Sequence, residues 1–244
     1  MSEFDASPAS PPSEGRDFAP GRSAGGRPVL LAAAALALLA VLAADPGGWI
    51  AAADRAVSRW FVAHRTSGWT GLFRPVTDLG DGSLLIAVGA AVLLLLVWRP
   101  PRAWLTASCF AAANLGASGL SRSLKVVVDR PRPPHDTLLV AVDSPSFPSG
   151  HATQAAAFWG GVAVLVLLSN RPRRQKAAIA VASGAVVVLV GVSRVYLGAH
   201  WASDVAGSYL LVVAWFSILA AALRRDSPAG AYRWPRSGGG ARLR

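Results

Sequence analysis

Charge is what this chain has least of. Of its 244 residues, 15% are Asp, Glu, Lys or Arg, against about a quarter in an ordinary soluble domain. Mean hydropathy is positive, and together these exclude a water-soluble globule as the first reading. Cysteine is nearly absent: Cys109 stands alone inside an apolar run, which rules out an intramolecular disulfide and reads as a small packed side chain rather than a nucleophile. Acidic residues do not cluster. Asp78 and Asp81 bracket one turn, but nothing nearby completes a cation shell, so no metal or other cofactor is called for. Large apolar residues are scarce in residues 1–27 and 226–244, which read as disordered tails too poor in core-forming side chains to fold.

What remains is long apolar runs. Six of them, at about residues 28–44, 83–98, 103–124, 152–169, 177–193 and 205–223, are each close to the ~20 residues that cross a bilayer core. Several fall short and need tilt or local thinning. The expected architecture is all-α: a six-transmembrane-helix bundle over residues 28–225, between the two tails. The first run could also be the centre of a cleaved signal peptide, but its long, weakly basic leader favours an uncleaved anchor. Between the first two runs, residues 48–66 carry Trp49, Ile50, Ala53, Val57, Trp60, Phe61 and His64 at helical spacing, with Asp54, Arg55, Arg59 and Arg65 opposite. This pattern suits an amphipathic helix in the membrane interface or one packed on the bundle.

The net charge of +11 would fit nucleic acid, but the cations are arranged for a bilayer. Fifteen of the 24 lie in the N-terminal tail, the second and fourth connections and the C-terminal tail. The positive-inside rule makes that side cytoplasmic. Both termini are then cytoplasmic and no nucleic-acid partner is implied. The ends of runs three and five and the starts of runs four and six all fall on the opposite, extracytoplasmic face.

Three clusters of reactive residues sit at those four ends. Pro148-Ser149-Gly150-His151 precedes the fourth run; a helix N-terminus behind a Ser-Gly turn attracts anions, and His151 at its mouth can pass a proton. Alone, it could be an ordinary turn and cap. Arg194, His200 and Asp204 follow in order. Residues four apart share a helix face, so Asp204 can fix the tautomer of His200 and leave its other nitrogen nucleophilic; a capping Asp beside an interfacial His is the alternative. Lys125 and Arg132 bound the proline-rich exit of run three, where Arg130-Pro131-Arg132-Pro133-Pro134 cannot stay helical. Lys125 as a point charge and Arg132 as a fork suit phosphate oxygens, although a snorkelling lysine and a basic loop also account for them. Arg122 and Arg130 keep that plainer reading.

Taken together, Lys125-x6-Arg132-Pro133, Pro148-Ser149-Gly150-His151 and Ser193-Arg194-x5-His200-x3-Asp204 resemble the three-part motif of the type 2 phosphatidic acid phosphatase superfamily, which also holds vanadium-dependent haloperoxidases and glucose-6-phosphatase. The resemblance spans about residues 48–223. It implies that His200 attacks phosphorus, Asp204 orients it and His151 protonates the leaving group. Lys125, Arg132 and Arg194, with Ser149 and Gly150, hold the phosphoryl oxygens without a metal. Six spans make a lipid or polyprenyl (di)phosphate in the cell membrane the expected substrate and partner: undecaprenyl diphosphate, phosphatidylglycerophosphate, phosphatidate or a polyprenyl-phosphosugar phosphate. A soluble haloperoxidase, a non-catalytic phosphate-binding membrane protein and a transporter with mid-membrane charges fit less well.

Overall fold

In the computed structural model the described residues are 26–96 and 101–225; the terminal segments 1–25 and 226–244, expected as tails, lie outside them. Eight α-helices and no strand occupy the described residues: α1 (Gly26–Ala44), α2 (Trp49–Ala63), α3 (Ser67–Asp78), α4 (Gly82–Leu96), α5 (Pro101–Val128), α6 (Gly150–Leu168), α7 (Arg173–Tyr196) and α8 (Ala202–Arg225). The six apolar runs became α1 and α4–α8, with α1 starting at Gly26, slightly before the expected boundary. By length and composition α6, α7 and α8 can each cross a membrane alone, and α1 and α2 qualify as a pair bent by 75°. α4 is shorter, with 15 residues. α5 has 28 residues but carries Asn114, Ser118, Ser121, Arg122 and Lys125 along its second half, and it packs against α6 and α8.

α6 packs most closely on α7, and α1 on α8. The buried faces are built largely from alanine: Ala117, Ala152, Ala155 and Ala157 have almost no exposed surface. Without a hydrophobic drive between helices inside lipid, small residues gain packing by letting backbones approach. Leucines and valines such as Leu30, Leu168 and Val181 point outward, as a lipid-facing surface requires.

One amphipathic helix was expected between the first two spans; there are two. α3 was not anticipated, because its sequence has low overall hydropathy and Pro75 inside it. Thr66 caps it by accepting from the Trp69 N–H at 3.2 Å. The orientation of α2 also differs from the sequence reading. Asp54 and Ser58 face the bundle and are buried, while Trp49, Val57 and Trp60 face outward. The tryptophans remain suited to headgroup depth, but the docking face is a mixed one of Ala51, Asp54, Ser58 and the partly buried Phe61, while Arg55 and Arg59 stay exposed. Arg65 ties the α2–α3 corner to the end of α7, its Nε and Nη2 donating to the Tyr196 carbonyl at 3.1 and 2.8 Å.

Candidate active site

The end of α7 is shaped by a glycine. Gly198 has φ 74°, the left-handed conformation that closes a helix C-terminus, and a Cβ there would lie 2.3 Å from the Thr137 carbonyl oxygen. The chain doubles back so that the N–H groups of Ala199 and His200 both donate to the Arg194 carbonyl, at 3.0 and 3.2 Å. This turn converts the five-residue interval between Arg194 and His200 into spatial proximity. α8 starts immediately afterwards, and Asp204 in its first turn reaches back to accept from the Trp201 N–H at 2.8 Å, half of a capping box. His200 Nδ1 lies 3.5 Å from Asp204 Oδ2, in range of the carboxylate although longer than a formed hydrogen bond. His200 is buried. Burial drives its imidazole down to about 3, Asp204 opposes this, and Arg194 and Arg132 add to it. The ring is therefore neutral at ordinary pH, as a nucleophile must be.

Three cations gather on this side of the site, Arg132 closest to the other nitrogen. Arg132 Nη1 lies 3.3 Å from His200 Nε2, and its fork is held by the carbonyls of Ala199 and Ser144. Lys125 Nζ donates to the Pro145 carbonyl. Arg194 is buried, with Nη1 donating to Thr77 Oγ1 at 2.8 Å, while its buried Nε has no hydrogen-bond partner in the structure. Lys125, Arg132 and Arg194 interact electrostatically with one another. Such a trio repels itself and is stabilised by an anion at its centre. A cavity of about 350 Å³ opens beside them, lined by Lys125, Gly150, His151, Ser144, Ser121 and Gln154 among others but not by Arg132, Arg194 or His200.

The helix N-terminus joins the same place. Ser149 is the N-cap of α6, its hydroxyl accepting from the Ala152 N–H at 3.4 Å and its own N–H donating to the Asp204 carbonyl at 3.3 Å. It is fully buried behind the cavity wall. Gly150 differs from the tight-turn reading. Its φ is not positive and a Cβ there would meet no atom within 4 Å, so its small size leaves room in the cavity rather than permitting the turn. Thus the eight expected residues (Lys125, Arg132, Ser149, Gly150, His151, Arg194, His200 and Asp204) converge at one end of the bundle.

A family model described as the PAP2 superfamily matches residues 102–227. The chain belongs to the PAP2 superfamily. Phosphatidylglycerophosphatase B of Bacillus subtilis is 32% identical over 171 residues, covering 66% of this chain and 79% of that protein. The decaprenylphosphoryl-5-phosphoribose phosphatase of Mycobacterium tuberculosis is 36% identical over 131 residues, covering 51% of this chain and 62% of its own length. The crystal structure of a transmembrane PAP2-type phosphatidylglycerolphosphate phosphatase from Bacillus subtilis superposes with a TM-score of 0.69 at 26% identity, covering 82% of this chain and 98% of that one. The protein is accordingly a membrane lipid phosphatase of the PAP2 type.

Around the PAP2 motif lie residues that sequence reasoning did not assign. Arg130, read as part of a basic loop, is buried with Nη1 2.6 Å from Asp204 Oδ1 and Nη2 2.8 Å from Asp54 Oδ2. Ser146 donates to Asp204 Oδ2. Asp81 Oδ2 stands 3.8 Å from His151 Nε2, and hydrogen bonds from Ser83 and the Leu84 N–H hold its carboxyl below the usual range. The turn carrying Asp81 is pressed on α6 at Gly80, where a Cβ would lie 2.7 Å from the His151 carbonyl oxygen. Polar residues in an apolar chain were the available signal for Asp54 and Arg130. Their pairing, 76 residues apart, had no sequence signature.

Proposed function

We propose that this PAP2 protein hydrolyses the phosphate or diphosphate headgroup of a membrane lipid or polyprenol at the extracytoplasmic face, through a phosphohistidine and without a metal. His200 Nε2 attacks phosphorus while Lys125, Arg132, Arg194 and the Gly150 N–H bind the non-bridging oxygens. The bond from phosphorus to the leaving oxygen breaks, and that oxygen takes a proton from His151. Water then attacks the phosphohistidine, giving its proton to His151 as the N–P bond breaks, and inorganic phosphate leaves. Asp204 stabilises the positive charge that His200 acquires.

The observation that carries the lipid substrate is a second cavity beside the first. About 540 Å³ in volume, it lies between α4, α5 and α6, is walled by apolar side chains such as Leu85, Phe110, Leu115 and Phe158, and shares Ser118 and Gln154 with the polar cavity. A phosphate beside Lys125 and His151 and a hydrocarbon chain between α4 and α5 fit these two adjoining cavities. Phosphatidylglycerophosphate, phosphatidate, undecaprenyl diphosphate and a polyprenyl-phosphosugar phosphate all combine these two parts.

Purified protein assayed against these four in mixed micelles tests the reading. Turnover of at least one is expected, unaffected by EDTA, inhibited by vanadate and abolished by His200→Ala. Loss of activity in EDTA would overturn the metal-free mechanism, and an active His200→Ala would overturn the nucleophile. Cytoplasmic placement of a C-terminal reporter is expected, and an extracytoplasmic one would reverse the orientation.

A further inference from the structure

Asp204 does not hold His200 unaided. Its Oδ1 accepts from Arg130 Nη1 at 2.6 Å, and a carboxylate so paired gives up part of its negative charge to the guanidinium. Asp54, reaching in from α2, takes the other arm of the same guanidinium at 2.8 Å. It also accepts from the Ser203 N–H at 3.0 Å and from the Ser203 hydroxyl, and that hydroxyl in turn accepts from Arg130 Nη1 at 2.7 Å. Asp54, Arg130 and Asp204 are all buried, so solvent screens little of this, and the Arg130 guanidinium lies 5.8 Å from the Trp201 ring.

Counted as charges, the cluster holds two carboxylates and one guanidinium. One negative charge is left over, next to the imidazole that becomes positive when its Nε2 bonds to phosphorus. Without Asp54 the count is zero, and Arg130 acts on Asp204 alone.

We infer that Asp54 is a positioning residue for catalysis: by sharing Arg130 it leaves Asp204 the negative charge that His200 needs in the transition state, and it fixes the start of α8 on which Asp204 stands. This rests on His200 being the nucleophile. Asp54 touches no substrate. Its effect therefore falls on the chemical step and not on binding.

The test uses the full chain in mixed micelles with phosphatidate as probe, comparing wild type, Asp54→Asn, Asp54→Glu and His200→Ala. Steady-state kcat and KM, the rate of phosphoenzyme formation after rapid quenching, and the unfolding temperature are read for each. Asp54→Asn is expected to lower kcat and phosphoenzyme formation on the order of 10- to 100-fold, the size usual for outer partners of a functional histidine, with KM within about twofold. Asp54→Glu, which keeps the charge, is expected to recover most of the loss. An Asp54→Asn kcat within about twofold of wild type would overturn the inference. So would equal losses in Asn and Glu variants that follow their unfolding temperatures, which is the signature of a structural role alone. An active His200→Ala would instead remove the nucleophile on which the inference stands.

Discussion

At the residue scale, the two histidines are set apart by what faces them. His200 is enclosed, while His151 lines the cavity with Asp81 3.8 Å from its Nε2. Burial and the charge of Arg194 push His151 down to about 4, with Arg132 and Lys125 adding to this and Asp81 opposing it, so Asp81 is the group that favours the protonated imidazole needed to deliver a proton to the leaving oxygen. Asp81→Asn is expected to slow hydrolysis of an alkyl lipid phosphate on the order of tenfold or more, and p-nitrophenyl phosphate much less, because its leaving group needs no proton. Equal losses on both substrates would contradict this role. The burial of His200 has a consequence for stability. Its folded value near 3 lies below the ordinary 6.5, so the unfolded chain binds the extra proton between those values and folding loses stability as pH falls from about 6.5 toward 3. The unfolding temperature of His200→Gln should fall less steeply than wild type across that window, and parallel curves would show that His200 stays solvated. The motif residues were legible because their order and spacing resemble a known three-part motif, although Arg194 reaches His200 only through the turn at Gly198. Arg130 and Asp54 were not, since a buried ion pair is a tertiary fact and a lone cation in a proline-rich exit looks like any basic loop.

At the scale of elements, the apolar runs translated directly into α1 and α4–α8 because length and hydropathy decide a helix in lipid. The interfacial pair α2 and α3 was harder. Amphipathicity fixes which faces differ, but not which one docks, and in α2 the docking face mixes Ala51 with the polar Asp54 and Ser58. Turn geometry was legible only in part. Gly150 was read as the special glycine, whereas the left-handed position belongs to Gly198, whose place just beyond the last residues of α7 is the usual end-of-helix signal. Gly198→Ala places a Cβ against the Thr137 carbonyl at 2.3 Å in a strained backbone. It is expected to cost about 1–3 kcal/mol and to lower kcat/KM as well, because the same turn carries His200. Unchanged unfolding temperature and turnover would show that the turn tolerates another conformation.

At the scale of the whole molecule, the proposed reaction needs two media to meet at one site. The charged cavity ends where Ser118 and Gln154 are hydrogen-bonded across α5 and α6, and the apolar groove between α4, α5 and α6 begins at the same two residues. A lipid that moves sideways between α4 and α5 would keep its chain in hydrocarbon while its phosphate reaches Lys125 and Arg132, so the headgroup needs no passage through the bilayer core. Gly89 tests that route, because it lines the groove and a Cβ there would meet nothing within 4 Å. Gly89→Phe should therefore fold normally and fill part of the groove. The expected result is a loss of about tenfold or more in kcat/KM for a long-chain lipid phosphate, as for other blocked apolar pockets, with dihexanoyl phosphatidate and p-nitrophenyl phosphate little affected. Equal turnover of long and short chains by the variant would place the hydrocarbon elsewhere, and equal losses on all three would mean that α4 shapes the headgroup cavity itself.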